Sequence, residues 1–376
     1  MEDQMLHLQN VTLDNIAKRI KREKMRIVVY GAGMIGKIVA PDMIQRYDLL
    51  ENIDCYVDCD VRKQGKYITI GDKPVKICSP TVLDSIAQNS ILFITNSNYS
   101  VVLATLDENK HLNGMDAIII PVMQALAVKE RTNATEIILR NYSEELIPKK
   151  IHYCWFSGKE MPDYLKKCIE SWHEKCPEYE IIRWDESNYD IHKNIYMEQA
   201  YNAQKWGFVP DFARLDILYT YGGFYLDTDV ELLQSLNDLR GQGAFCGVEK
   251  WGNINMGGCS GAMKHHPMIG EMLAYRENIP FVYPDGTMNL ETCGVYETQP
   301  FIKHGMAINN STQRINDMTV FSSDFFHPYD YMSGETILTK HTFSIHHFNG
   351  GWLNEQARQA RTDTMEKYNQ IVKRME

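Results

Sequence analysis

The sequence of 376 residues lacks several features that would place it in a common class of protein. It has no apolar run near the roughly 18 residues of a membrane span. Its first residues, MEDQMLHLQN, lack the basic start and apolar centre of a secretion signal. It also lacks an excess of positive charge, because 49 acidic residues outnumber 39 basic ones and the formal net charge is −10. General nucleic-acid binding, which needs a basic surface, is therefore excluded.

The cysteines offer neither a disulfide framework nor a zinc site. There are nine of them, an odd number, and no CxxC pair occurs. We therefore expect free thiols in a reducing compartment and predict a cytoplasmic protein. The hydrophobic share of 44% and the charged share of 23% are those of an ordinary globular protein, so global disorder is excluded. At roughly 150 residues per domain, the length predicts two or three domains.

A basic amphipathic helix is predicted before the first domain, within residues 1–24. Apolar residues follow a helical spacing along one face, and the other face carries five lysines and arginines. Two interpretations remain open. The helix can lie on an anionic membrane surface, as a peripheral contact at the inner membrane, or it can be a solvated helix packed on the next domain.

The next segment has the order of strand, glycine-rich turn and helix that nucleotide-binding folds use. Arg26–Tyr30 is a short apolar run that leads into Gly31, Gly33 and Gly36, and a helical periodicity follows. Asp58 ends the second predicted strand about 20 residues later, where an acid that binds a ribose is expected. We therefore predict a small, doubly wound Rossmann-like domain over residues 25–125, with a candidate nucleotide site at these four positions.

This first domain resembles the Rossmann-like units of bacterial surface-polysaccharide enzymes, including sugar acetyltransferases and epimerases. Some of those units bind a nucleotide sugar or a similar ligand, whereas no ligand is known for others. Two uses stay open here: a bound nucleotide, or a structural, docking or regulatory module. About 100 residues is short for a complete dinucleotide domain, and the second half of the chain shows no catalytic set for an NAD-dependent oxidoreductase.

A second domain is predicted over residues 148–376, after a helical linker at 126–147. It opens with an apolar strand at Ile151–Phe156, a helix, and a further strand that ends at Trp184. This βαβ order is the opening of a nucleotide-binding sheet. Both domains therefore place the chain in the α/β class.

The block Pro210–Glu231 carries the strongest chemical signal of the sequence. A helix is followed by a glycine pair, and a short apolar strand then runs directly into Asp227 and Asp229. Alternate residues of a strand point the same way, so both carboxylates can converge on a hard divalent cation that holds a diphosphate. Asp211 and Arg214 are three residues apart and share one face of the helix.

This block, PDFARLDILYTYGGFYLDTDVE, closely resembles the signature of the DXD-containing sugar-binding glycosyltransferases of family 32. That family includes yeast-type mannosyltransferases and bacterial capsular polysaccharide transferases. The resemblance covers roughly residues 146–355 and extends to the strand around Trp155, to RWD at 183–185 and to a closing SIHHFNGGW, where Gly351 replaces the usual serine. It implies a GT-A type domain, which is Rossmann-like with a mixed sheet, and a hexosyltransferase.

The resemblance also implies a metal site. Asp229 would bind the cation directly, and Asp227 would bind the cation or the donor ribose. The third protein ligand would be one of two adjacent histidines, which face opposite sides of an extended chain. His347 is favoured over His346 by its spacing to the closing Gly-Gly-Trp.

The donor-binding residues are likewise implied by the resemblance. Trp155 would stack on the uracil, and Trp352 would close over the diphosphate. Asp211 and Arg214 would hold the sugar hydroxyls and the phosphate, and they are also the predicted catalytic residues.

The predicted function is a metal-dependent, retaining transfer of galactose or glucose from a UDP-sugar, with Mn²⁺ or Mg²⁺ as cofactor. The acceptor would be a glycan or a lipid at the cytoplasmic membrane face, such as a capsular polysaccharide or an α-glycosylceramide. No carboxylate stands out as a nucleophile, so a front-face attack and a covalent intermediate are equal alternatives. Two other functions stay open: a nucleotide-sensing regulatory protein with an inactive transferase-like domain, and an NAD-dependent sugar-nucleotide oxidoreductase or epimerase.

Overall fold

The computed structural model describes residues 5–10, 12–132, 144–351 and 353–375. The chain divides into two compact units. The first comprises residues 1–130, 331–334 and 354–376, and the second comprises residues 131–330 and 335–353. This differs from the sequence-based division, which ran the second domain to residue 376. Residues 133–143 of the expected linker lie outside the described residues.

The first unit contains a seven-stranded sheet with helices from the intervening segments. Its strands are β1 (His7–Leu8), β2 (Arg26–Tyr30), β3 (Ile53–Val57), β4 (Tyr67–Ile70), β5 (Lys73–Cys78), β6 (Ser90–Ile94) and β7 (Asp116–Ile119). Its first helices are α1 (Leu13–Glu23), α2 (Ala40–Arg46), α3 (Tyr99–Asp107) and α4 (Ile120–Thr132). The strand order is β1-β7-β6-β2-β3-β5-β4, and every neighbouring pair is parallel except β4 and β5. The predicted doubly wound, Rossmann-like sheet is confirmed.

The central strands of this sheet are apolar because both of their faces are covered. Every residue of β6 is buried, as is every residue of β7. The apolar run at 117–122 crosses an element boundary, because β7 ends at Ile119 and α4 begins at the next residue. Apolar composition alone does not separate a buried strand from the buried start of a helix.

Helix α1 packs within the first unit. Its apolar stripe, Ile16, Ala17 and Ile20, is buried, and the guanidinium of Arg19 donates to the carboxylate of Asp116 in β7 at 2.6 Å. Of the two interpretations of this helix, the structure therefore shows the packed one. Its apolar face is not available for insertion into a membrane surface.

The second unit is built on a mixed eight-stranded sheet. The strands are β8 (Lys150–Cys154), β9 (Glu180–Trp184), β10 (Gly223–Tyr225), β12 (Ala244–Val248), β13 (Ile254–Asn255), β14 (Ser260–Ala262), β15 (Gln313–Ile315) and β16 (Met318–Phe321). A separate two-stranded ribbon is formed by β11 (Val230–Leu232) and β17 (Ser344–His346). The helices are α5 (Asp163–Lys175), α6 (Ile195–Asn202), α7 (Pro210–Tyr221), α8 (Pro267–Arg276), α9 (Cys293–Lys303) and α10 (Ser323–Phe326).

The order in the large sheet is β15-β16-β12-β14-β10-β8-β9, with β13 on β12. Strands β9, β8 and β10 are parallel, whereas β14 runs antiparallel to both β10 and β12. This is the Rossmann-like, mixed sheet expected of a GT-A type domain.

The glycine pair Gly222 and Gly223 allows the chain to turn sharply from the end of α7 into β10. Gly222 and Gly223 have φ of 64° and 104°, which favour glycine. A Cβ on Gly223 would also lie 2.8 Å from the carbonyl oxygen of Lys150 in β8. The pair therefore brings β10 into the sheet immediately after the helix, and the strand then delivers Asp227 to the edge.

The last helix, α11 (Glu355–Met375), belongs to the first unit. The guanidinium of Arg374 in this helix donates to both carboxylate oxygens of Asp107 at 2.6 and 2.8 Å. A hydroxyl–hydroxyl hydrogen bond of 2.9 Å joins Thr364 to Ser100 in α3. The helix is too polar for its packing partner to be recognised from sequence periodicity. Among the described residues, no helix combines the length and the apolarity needed to cross a membrane, and all nine cysteines are free thiols.

Candidate active site

The candidate site lies where parallel strands of the second sheet end. Strands β8 and β10 are hydrogen-bonded neighbours with Phe224 opposite Ile151. Their carboxyl ends therefore meet at one edge, which is where α/β sheets bind ligands. Trp155 follows β8 and Asp227 follows β10 at this edge.

Two carboxylates and one imidazole converge there. One ligand atom each from Asp227, Asp229 and His346 lies within 4.8 Å of the other two. Nε2 of His346 is 3.3 Å from a carboxylate oxygen of Asp229. The side chains of Asp227 and Asp229 keep 25% and 15% of their surface exposed, so a diphosphate could reach a cation between them.

The histidine in this cluster is His346, whereas the sequence analysis favoured His347, which the structure places outside it. In the ribbon, His346 pairs with Val230, directly after the DXD acids. The ring of His347 points elsewhere and lies 3.0 Å from the carboxylate of Glu231. Spacing to the closing Gly-Gly-Trp guided the prediction, but the side of the strand is set by its register with β11.

The electrostatics of the cluster couple Asp229 to His346. Burial by itself raises the pKa of Asp229, but the imidazole of His346 and the backbone N–H of Asn349 outweigh it and lower that pKa to about 2. Burial lowers the pKa of His346, and the carboxylate of Asp229 reverses this and raises it. The pair is therefore held as a carboxylate beside an imidazole that is easily protonated when no cation is bound.

The chemistry of the cluster fits a divalent cation. Carboxylate oxygens suit Mg²⁺ and Mn²⁺, and imidazole nitrogen is a common ligand of divalent transition metals. Nδ1 of His346 is buried and has no hydrogen-bond partner within the described part of the chain. Such an unsatisfied polar atom beside two acids is typical of a site built for a charged ligand.

The predicted pair Asp211 and Arg214 lies directly behind the acids. Both residues are buried, and Nη2 of Arg214 donates to Asp211 at 3.0 Å. The same nitrogen is 3.6 Å from a carboxylate oxygen of Asp227. Burial raises the pKa of Asp211, and Arg214 offsets part of that shift. The helix face predicted from sequence thus places the buried guanidinium of Arg214 next to the DXD motif.

A glycine-rich turn fixes the position of Asp227. Its backbone N–H donates to the carbonyl of Gly257 at 2.8 Å, and the hydroxyl of Tyr225 donates to its carboxylate at 3.1 Å. A Cβ on Gly257 would lie 2.0 Å from Oδ2 of Asp227. Any side chain at residue 257 would therefore displace the carboxylate.

Sequence reasoning missed two buried charged residues beside the pair Asp211 and Arg214, namely Glu297 and Arg276. Glu297 in α9 accepts from Nη1 of Arg214 at 3.4 Å. Arg276 in α8 is held between the rings of Tyr196 and Tyr296, with its guanidinium carbon 4.4 and 4.5 Å from their centroids. Glu297 and Arg276 lie on helices that are distant in sequence from the DXD block. The only indication in the sequence is a charged residue within an otherwise apolar helical pattern.

The two predicted tryptophans have different outcomes. Trp155 is half-buried at the sheet edge, and its indole N–H donates to the carbonyl of Lys159 at 2.8 Å. Its stacking on a base stays a prediction. Trp352 lies outside the described residues.

In the first unit, the candidate nucleotide residues form a closed turn. Asp58 accepts from the backbone N–H of Ala32 at 2.7 Å, so its carboxylate holds the glycine loop itself. A Cβ on Gly36 would lie 2.1 Å from the carbonyl oxygen of Gly31, whereas a Cβ on Gly33 would meet no atom within 4 Å. Gly31 and Gly36 thus serve the turn, and a ribose would have to compete with the backbone for Asp58.

Comparison with known proteins agrees with this site. Residues 162–246 match the model of the family described as "Glycosyltransferase sugar-binding region containing DXD motif". The chain is 28% identical over 200 residues to the uncharacterized glycosyltransferase L373 of Acanthamoeba polyphaga mimivirus, which covers 49% of this chain and 74% of that protein. It is 35% identical over 101 residues to inositol phosphoceramide mannosyltransferase 3 of Schizosaccharomyces pombe, covering 25% of this chain and 27% of that protein.

A solved structure, PaToxG glycosyltransferase, is similar with a TM-score of 0.32 and 18% identity, over 49% of this chain and 78% of that one. The matched family region contains α5, α7 and the DXD acids of the second unit. The second unit therefore contains a stretch that matches the sugar-binding region of the DXD-containing glycosyltransferases. The chain is an enzyme of the glycosyltransferase class. The yeast relative is matched over only about a quarter of its length.

Proposed function

We propose that this chain is a metal-dependent, retaining hexosyltransferase that uses a UDP-sugar. The observation that carries the proposal is the convergence of Asp227, Asp229 and His346 at a sheet edge, with the buried Arg214 3.6 Å from Asp227. A site of this kind can bind a nucleoside diphosphate and stabilise it as a leaving group.

The residues of the chain divide this task. Asp227, Asp229 and His346 would hold a divalent cation, which supplies charge neutralisation at the diphosphate. Arg214 contributes a fixed positive charge. Because the guanidinium is buried away from bulk water, its charge interacts more strongly with a nearby anion. Asp211, paired with Arg214, would accept hydrogen bonds from the sugar hydroxyls.

Retention of the anomeric configuration is proposed to occur by front-face attack. The buried acids beside Arg214 are Asp211 and Glu297, and both are committed to ion pairs with it. In front-face attack the acceptor oxygen bonds to the anomeric carbon as the bond to the diphosphate breaks, and the acceptor proton passes to the departing phosphate oxygen. This route needs no carboxylate nucleophile.

Galactose or glucose is the proposed sugar, and mannose is the second candidate. Mannose is favoured by one observation, the similarity to a yeast protein that is named a mannosyltransferase. The test is release of nucleoside diphosphate from UDP-galactose, UDP-glucose and GDP-mannose, with and without Mn²⁺. Release that needs Mn²⁺ and is lost in D229A is expected. Equal release by D229A contradicts the proposal.

The proposed acceptor is a glycan or a lipid at the cytoplasmic face of a membrane, including a capsular polysaccharide or an α-glycosylceramide. Because the apolar stripe of α1 is buried, a peripheral contact through this helix would rest on exposed basic side chains such as Lys18 and Arg22. Sedimentation with anionic and with neutral vesicles tests it. Equal sedimentation with both contradicts an electrostatic contact.

A nucleotide site in the first unit, at Gly31, Gly33, Gly36 and Asp58, is the remaining proposal. Support comes from the parallel sheet and from the open space at Gly33. Calorimetry with UDP and with NAD, using D229A to remove binding at the second unit, tests it directly. Heat that persists in D229A supports the site, and its absence contradicts it.

A further inference from the structure

A second layer of charged side chains lies behind the candidate metal ligands, and Glu297 is an acid of this layer. The residue is 2% exposed and is not part of the group whose atoms could hold a cation. Its carboxylate therefore has to act through other residues if it acts on the site at all.

Both carboxylate oxygens of Glu297 are engaged, and each contact leads to Asp227. Oε1 accepts from Nη1 of Arg214 at 3.4 Å, and Nη2 of the same guanidinium is 3.6 Å from Asp227. Oε2 accepts from the backbone N–H of Met256 at 2.9 Å. The next residue, Gly257, accepts from the backbone N–H of Asp227 at 2.8 Å.

The space around Asp227 leaves little freedom for these groups to shift. A Cβ on Gly257 would be 3.2 Å from Nη1 of Arg214 as well as 2.0 Å from Asp227. The turn, the guanidinium and the carboxylate are thus packed against one another. A change in the place of Arg214 or of Met256 would move Asp227, because close-packed groups transmit displacement.

The electrostatic setting indicates that Glu297 is retained at a cost. Burial raises its pKa to about 7, although Arg214 opposes the shift. A neutral side chain would avoid this desolvation. Removing the acid would leave Arg214 with Asp211 and the partly exposed Asp227 as its acidic partners, and the guanidinium would then compete more strongly with a cation for Asp227.

We propose that Glu297 is a positioning residue that fixes the carboxylate of Asp227 through Arg214 and the turn at 256–258, and thereby sets the affinity of the site for its divalent cation. This inference rests on the proposed function. It assigns the acid to cation binding rather than to contact with the sugar. Outer partners of metal ligands typically contribute about 10- to 100-fold to metal affinity.

The test compares E297Q and E297D with the control E271Q. Gln keeps an oxygen for the N–H of Met256 but removes the charge opposite Arg214, and Asp keeps the charge but withdraws it by one methylene. Glu271 lies on α8 and accepts from Lys303 at 2.8 Å and from His304 at 2.7 Å, so E271Q makes the same chemical change where α8 contacts the carboxyl end of α9.

The dissociation constant of Mn²⁺ is measured by electron paramagnetic resonance at pH 8, without nucleotide. We expect E297Q and E297D to raise it about 10-fold and E271Q to leave it within twofold of the wild type. Backbone amide exchange at Met256 in the metal-free protein should rise in E297D. Excess Mn²⁺ should restore the turnover of E297Q, because a positioning residue is not needed for chemistry once the cation is bound.

The outcomes separate this inference from the proposed function. Mn²⁺ binding that depends on Asp229 but is unchanged in both E297Q and E297D overturns the inference alone. Loss of the folded circular dichroism signal in both variants also overturns it, since Glu297 would then serve the fold. A wild-type protein that binds no Mn²⁺ overturns the inference and the proposed function together.

Discussion

The two units each carry an acid after a parallel strand, and the acids serve different ends. In the first unit, Asp58 follows β3 and accepts from the backbone N–H groups of Ala32 and Asp60 at 2.7 and 2.8 Å. In the second unit, Asp227 and Asp229 follow β10 and meet an imidazole and a guanidinium. Asp58 is held by the backbone near its own turn, whereas Asp227 and Asp229 converge with an imidazole in an arrangement that could hold a cation.

This difference teaches that an acid at a strand end is defined by its partners rather than by its position. Backbone N–H groups stabilise the carboxylate of Asp58 without any ligand. The acids of the DXD motif face each other, and like charges this close are unfavourable until a cation joins them. The predictions below test this contrast, from the largest effect to the smallest.

The largest effect is expected for D229A. Asp229 is a proposed ligand of the cation, and its loss would remove the neutralisation of the leaving group, so release of nucleoside diphosphate should fall by about 100-fold or more. Metal-dependent binding of UDP in calorimetry should be lost as well. D216N, on the same helix as Arg214 but bonded to Tyr189 and Lys193, is the control and should keep its activity. Full turnover by D229A would contradict the assignment of Asp229 to a ligand site.

The two adjacent histidines should differ in their effect. H346A removes an imidazole of the cluster and should weaken Mn²⁺ binding at least 10-fold. H347A breaks the contact with Glu231 at 3.0 Å and should change the affinity for Mn²⁺ less than twofold. Titration of Mn²⁺ followed by electron paramagnetic resonance measures both. The reverse order of effects would restore the ligand that spacing predicted.

The substitution D58N should affect stability and leave the second unit's chemistry unchanged. The amide that replaces the carboxylate cannot form the charge-assisted hydrogen bonds to the glycine loop. These bonds contribute about 1 kcal/mol or more to the free energy of unfolding. We expect a lower urea midpoint and faster amide exchange over residues 31–36, with unaltered Mn²⁺ binding. If D58N instead abolishes binding of UDP in a D229A background, the acid serves a ligand.

The smallest effect is a difference in pH dependence between the wild type and E297Q. Burial raises the pKa of Glu297 to about 7 in the folded chain, above the ordinary value of 4.5. Between these values the folded state binds the proton more tightly, so the wild type loses stability as pH rises through this window. E297Q has no such group, and its thermal midpoint should fall less from pH 5 to pH 8. Parallel profiles would contradict the assignment.

The helix-to-DXD block was predictable because its signals are local. The glycine pair, the apolar strand and the alternation of Asp227 and Asp229 lie within one short stretch, and their periods follow from backbone geometry. For the same reason Asp211 and Arg214 were found together on one helix face. The α/β class followed from the same patterns, whereas the mixed second sheet was implied by the family resemblance.

The remainder of the site depends on contacts between distant segments. His346 reaches the acids through the register of β17 with β11, which a preference for spacing does not reveal. Glu297 and Arg276 lie on α9 and α8, and helical periodicity gives no reason for two buried opposite charges to meet Arg214 and Asp211. Such partners require the three-dimensional path of the chain.

The place of α11 has a practical consequence for dissecting the molecule. Because Arg374 donates to Asp107 and Thr364 bonds to Ser100, the first unit is completed by the carboxyl-terminal stretch of the polypeptide. One cleavage between the units would yield an amino-terminal fragment without its final helix, whose Tyr368 and Ile371 are buried in the intact chain. Expressing this module separately therefore calls for a circular permutation or for two co-expressed pieces.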